Sequence, residues 1–183
     1  MNTDKIQEAV DECTRIFNPS FRVPFPTKNI IGKDENLLIS FSEYNDDISG
    51  FITYDESEQK FKMFINTNKS QKRINFTIAH ELGHYFLHKE IIRNNLDFVE
   101  KEETLDSGNI LYRKDIAEPM TPEMQRYERE ANQFAARLLM PEKYVRKAWQ
   151  VLEDVSMCAL IFDVSQIAMT IRLNELGILN DEH

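Results

Sequence analysis

At 183 residues and 21.6 kDa, with 42% apolar residues, the chain is long enough for one medium domain with a proper core. A net charge of −9 and a pI near 5.0 argue against nucleic acid as a direct partner, because phosphate contacts need clustered Lys and Arg, and no such run exists. The distant Cys13 and Cys158 exclude a disulfide framework, and with no apolar run of about 18 residues the expectation is a cytoplasmic protein that does not enter a membrane.

Residues 4–17 are expected to form a helix, since Ile6, Ala9, Val10, Cys13 and Phe17 recur at helical spacing between acidic residues. Pro19, Pro24 and Pro26 end it. Three β-type runs follow, 36–42, 48–54 and 60–66, with turns at Asp46-Asp47 and 56–59. Ser70 then caps a helix running to about His88. Next comes a polar, acidic stretch of about 30 residues, long enough to be functional, with a turn at 106–109 and a short strand at 110–113. Thr121-Pro122, an N-cap followed by proline, starts a long helix that stops at Pro141. Shorter helices fill 141–177 and end at Gly177. Helix, sheet and helices in that order predict an α+β fold. Its expected division is a domain 1–140 with a helical part 141–183 packed on it, or a single domain throughout.

Within the second helix, His80-Glu81-Leu82-Gly83-His84 is an H-E-x-x-H motif. Residues four apart on a helix sit one above the other, so both imidazoles can reach one metal ion. Zinc suits them, because it takes imidazole nitrogen and leaves a position for water. Glu81 lies on the same side, as a base for that water. At about 100° per residue, Ile74, Ile78, Leu82 and Phe86 form an apolar stripe, while Thr77, His80, Glu81, His84 and His88 group opposite. A solvated face would mix Lys, Glu and Gln; this one holds three of the chain's four histidines. His88 follows His84 with no intervening glycine to turn the chain back, so it is expected to end the helix and meet its free carbonyls.

A catalytic zinc usually has a third protein ligand, and the helix after Thr121 offers carboxylates. Glu128 shares a face with Met124, Ala131, Asn132, Ala135 and Leu139. Glu130 falls opposite, beside Arg126, Gln133 and Arg137, on the expected wet side. An acid on a small, apolar face is costly without a cation, which zinc would supply to Glu128. The alternative is a pairing with a buried Arg, or a cap on a neighbouring helix. Asn132, one turn on, is placed to hydrogen-bond a ligand or Glu128 itself.

The segments His80–His88 and Glu128–Pro141, with 162–165 and 172–177, resemble the ImmA/IrrE family of metallopeptidases. The resemblance covers roughly residues 60–177 and implies a zincin-like fold of gluzincin type. In it a three-stranded or larger mixed sheet packs on the H-E-x-x-H helix, and a mostly helical C-terminal part follows. It implies zinc held by His80, His84 and Glu128, with Glu81 as catalytic base, and a peptide substrate. It further implies an anti-repressor role, in which a helix-turn-helix repressor is cleaved; the alternative is a zinc-containing binding module that sequesters a repressor or toxin. The first third of the chain carries none of this resemblance.

Two finer expectations follow. Zincin resemblance makes 60–66 an edge strand on which a peptide could lie. An oxyanion donor would be Tyr112 or Tyr85, the latter close to the core stripe. Residues 164–177 also admit a reading as the second half of a helix-turn-helix, but Arg172, Gln166 and Asn174 stand among acids, which favours plain helix packing.

Overall fold

The computed structural model describes residues 3–44, 48–94, 98–101 and 121–179. The expected turns at Asp46-Asp47 and 106–109, the strand 110–113 and Tyr112 lie outside these. Helix α1 (Thr3–Phe17) leads to strands β1 (Leu37–Ser42), β2 (Ile48–Asp55) and β3 (Lys60–Asn66). Helices α2 (Gln71–Leu87) and α3 (Lys89–Arg93) precede β4 (Phe98–Lys101). The chain continues through α4 (Pro122–Leu139), α5 (Glu142–Leu152), α6 (Val155–Phe162) and α7 (Gln166–Glu175). The fold is α+β, with a mixed sheet and a mostly helical C-terminal part, as its sequence predicts.

The sheet order is β1-β3-β2-β4, with β1 parallel to β3 and the other neighbours antiparallel. This corrects the expectation for 60–66. That strand is paired on both sides, so no peptide can add to it; among the described strands, the edges are β1 and β4. Alternation along β3 sets its two faces: Phe61, Met63 and Ile65 are buried, with Phe61 against Tyr85 of α2. Phe64 stacks on Phe51 across the other face, with ring centroids 4.6 Å apart.

Helix α2 lies on β2 and β3 and has α4 along its other side. Ser70 accepts from the Arg73 amide at its start, and Thr121 accepts from the Met124 amide at the start of α4. Because α2 is covered on both sides, Thr77, His80, Glu81 and His84 are as buried as Ile78 and Leu82. Two glycines permit this. A Cβ on Gly50 would lie 2.6 Å from Thr77 Cγ2 and 2.9 Å from the Phe64 carbonyl. A Cβ on Gly83 would lie 3.0 Å from Ala131 Cα and 3.2 Å from Phe134 Cβ.

One continuous core unites α1, the sheet, α2, α4 and the last three helices. Asn75 ties the parts together: it accepts from Thr27 at 2.7 Å and donates to Asp163 at 2.7 Å. Helices α6 and α7 bend by 103°, an angle a helix-turn-helix also shows. Yet Arg172 is buried and donates to the Met140 carbonyl at the end of α4, while the exposed face carries Leu160, Ile167 and Ile171. Gln166 and Asn174 are exposed beside them, but the basic residue of the segment is turned inward, which favours plain helix packing. Among the described residues, no single helix is long and apolar enough to cross a membrane.

Gly83→Val should cost about 1–3 kcal/mol, since the added carbons meet backbone rather than a movable side chain. Urea denaturation measures this. Stability equal to the parent would mean that α2 and α4 do not cross so closely.

Candidate metal centre

The close crossing at Gly83 and Ala131 brings Glu128, one turn before Ala131, against the imidazoles of α2. His80 Nε2 and His84 Nε2 are 2.9 Å apart. Glu128 Oε2 is 3.2 Å from His80 Nε2, and Oε1 is 3.5 Å from His84 Nε2. Ligands about 2.0–2.1 Å from a tetrahedral zinc stand about 3.3 Å apart, and one donor atom from each of the three residues lies within 4.8 Å of the others, a cluster compact enough for one ion. Its donor set, two imidazole nitrogens and a carboxylate, is also one that zinc takes. Among the described residues, none gives buried Glu128 Oε2 an aligned hydrogen bond, a costly state that a cation would relieve.

The protonation states suit a metal. Burial pushes His84 down to about 4, against the upward pull of Glu128, so the ring is neutral at pH 7. Glu128 answers to the same rings: burial pushes its carboxyl up, and a proton on His84 or His80 pulls it down. His80 Nδ1 lies 3.1 Å from Asn132 Oδ1, so a proton there leaves Nε2 bare toward the cluster. Asn132 thus meets His80, one of the two partners expected for it. Glu81 is completely buried between these two histidines in the sequence of α2.

Two expectations are corrected. Glu130 does not lie on a wet face: it is 8% exposed, like Glu128, and its Oε2 is 2.9 Å from His88 Nε2. The buried face of α4 is centred on Tyr127, Ala131, Phe134 and Leu138. Glu128 and Glu130 flank it, about 160° apart by helical rotation, and each reaches inward from its own border. His88 does end α2, but its ring does not serve the helix carbonyls. It is buried, with Nδ1 3.0 Å from His84 Nδ1. Glu130 was the residue hardest to place from sequence; the clue was His88, one turn beyond His84 on the histidine face.

Tyr85 is excluded as an oxyanion donor, since its hydroxyl donates to Asp34 Oδ2 at 2.8 Å, within the core. A surface cleft of about 1060 Å³ between α1, α4 and α7 lies away from the imidazole pair and mixes Arg137, Arg146 and Arg172 with Asp11 and Glu175. It contributes nothing to the cluster.

Two histidines and a glutamate, buried where two helices cross on an α+β scaffold, form a group that could hold a metal ion. The chain belongs to the family described as IrrE N-terminal-like domain, peptidase M78, which matches residues 34–174. It is 28% identical over 131 residues to "Metallopeptidase ImmA" of Bacillus subtilis, covering 70% of this chain and 64% of that one. It is 36% identical over 96 residues to "Uncharacterized immunity region protein 2" of Bacillus phage phi105, covering 52% of this chain and 47% of that one. The chain thus spans about half to just under two thirds of these relatives' length. Among solved structures, a Mycobacterium tuberculosis transcriptional regulator has the same fold, with a TM-score of 0.58 at 16% identity, covering 93% of this chain and 46% of that one.

The metal-free chain should lose stability as pH falls from 7 to about 5. Above the ordinary imidazole value of 6.5, His84 is neutral both folded and unfolded. Below it, the unfolded chain takes up a proton that the folded chain refuses until about pH 4, and this favours unfolding. Burial lowers His88 as well, with the same sign. Thermal melts of metal-free protein across this range read the effect, and a flat melting temperature would contradict it.

Proposed function

We propose that this chain is a zinc-dependent endopeptidase that cleaves a regulatory protein, specifically a helix-turn-helix repressor, in the cytoplasm. The observation that carries the reading is the cluster of His80, His84 and Glu128, compact enough for one ion, beside the buried Glu81. His80 and His84 would hold zinc through Nε2 and Glu128 through its carboxylate, with Asn132 orienting His80. When bound there, zinc would lower the pKa of water and polarise the scissile carbonyl. Glu81 would accept the proton from that water and deliver it to the leaving amine. Its neighbours on α2 are packed on both sides, so Glu81 is fixed before substrate arrives.

The choice of substrate rests on the relatives. One is named as a metallopeptidase and another as an uncharacterized immunity region protein of a phage, which supports a regulatory protein as the substrate. Residues 1–140 would carry the chemistry, with 141–183 as a helical buttress joined through Asn75–Asp163 and Arg172–Met140.

Glu81→Gln should keep its zinc, because Glu81 is not among the ligands, and lose cleavage by orders of magnitude. The assay follows a helix-turn-helix repressor encoded beside the gene, incubated with parent and variant, by mass spectrometry. Equal cleavage by both would refute the role of Glu81. Binding of the repressor by both, with cleavage by neither, would replace proteolysis with sequestration.

A further inference from the structure

Beyond the triangle and Asn132, a second buried polar pair touches the cluster. His88, the C-cap of α2, and Glu130 of α4 are 42 residues apart, and both are shielded from solvent. Two such groups in a core are costly unless hydrogen-bonded, and these two meet each other and the ring of His84. Their contacts form a line: His84 Nδ1 to His88 Nδ1 at 3.0 Å, then His88 Nε2 to Glu130 Oε2 at 2.9 Å. Tyr127 packs against the His88 ring, with centroids 4.9 Å apart, and holds it in this line.

Counting protons along the line gives it a direction. A neutral imidazole carries one proton on one of its two nitrogens. Ionised Glu130 only accepts, so the nitrogen facing it, His88 Nε2, carries the proton. His88 Nδ1 is then bare and accepts from His84 Nδ1–H. His84 Nε2 is left bare, and it is this atom that faces His80 and Glu128. Reversing the line would set a bare nitrogen against a carboxylate. Glu130 thus does for His84, through an intervening ring, what Asn132 does directly for His80.

We infer that Glu130 and His88 are positioning residues that hold His84 in the tautomer and orientation able to ligate metal. This rests on the metal-site reading above. Partners of this kind raise the basicity of a ligand and fix its ring, and their loss typically costs about 10–100-fold in metal affinity. Arg126 approaches Glu130 at 3.7 Å from the solvent side and is half exposed. It lies outside the line and serves as the control.

The experiment titrates zinc against a chromophoric chelator for the parent, Glu130→Gln, His88→Phe and Arg126→Gln, with thermal melts of each metal-free protein. Glu130→Gln preserves shape and removes the charge; His88→Phe preserves a ring and removes the acceptor. Each should bind zinc about 10–100-fold more weakly, while Arg126→Gln stays near the parent. Proton NMR of the cobalt(II)-loaded proteins gives a readout that packing alone would not move. The parent should show two exchangeable, paramagnetically shifted ring N–H signals, from His80 and His84. In Glu130→Gln the His84 signal should be lost to faster exchange and the His80 signal retained. Zinc affinity within twofold of the parent, with both signals intact, would overturn the inference. So would an equal loss in Arg126→Gln, which would mark general destabilisation. Should Glu130→Gln fail to fold, His88→Phe carries the same test. A parent that binds no zinc would instead defeat the metal-site reading itself.

Discussion

The structure depends on how closely two helices approach at one point. With Gly83 on α2 facing Ala131 on α4, backbone meets backbone, and side chains one turn away are forced into reach of each other. Glu128 and the two imidazoles meet for this reason. A larger residue at either position would separate the helices and spread contacts that now measure 2.9, 3.2 and 3.5 Å. The sheet enforces the approach from behind, because Gly50 lets α2 settle onto β2 and leaves it no room to withdraw.

Placing imidazoles and carboxylates in that crossing has a cost. Burial disfavours their charged forms, and the cost is met by pairing each group with another. Asn132 faces His80, His88 faces His84, and Glu130 faces His88. The result is a set of rings whose protons point away from the centre and whose bare nitrogens point into it. An apolar crossing would be more stable, whereas this one could hold a cation.

Much of this was legible in the chain. The H-E-x-x-H spacing located the histidines, Ser70 and Thr121-Pro122 marked both helix starts, and the motif around Glu128 gave the family. What escaped was set by tertiary order. Alternation makes 60–66 a strand but does not say that β1 returns to pair parallel with it, so a central strand was read as an edge. Helical rotation separates Glu128 from Glu130 correctly, yet the centre of the buried face lies between them, at Ala131. Helix α3 and strand β4 are too short, at five and four residues, to have shown a period. His88 was placed at the helix end correctly, while its ring answers to a residue on another helix.

The central claim is that one zinc ion belongs between His80, His84 and Glu128. Anomalous scattering at the zinc absorption edge, from crystals of the parent chain grown with zinc, tests it most directly. The account predicts a single strong peak about 2.0–2.2 Å from both Nε2 atoms and from a Glu128 carboxylate oxygen. A peak held by other residues, or none at this site in fully zinc-equilibrated crystals, would contradict it.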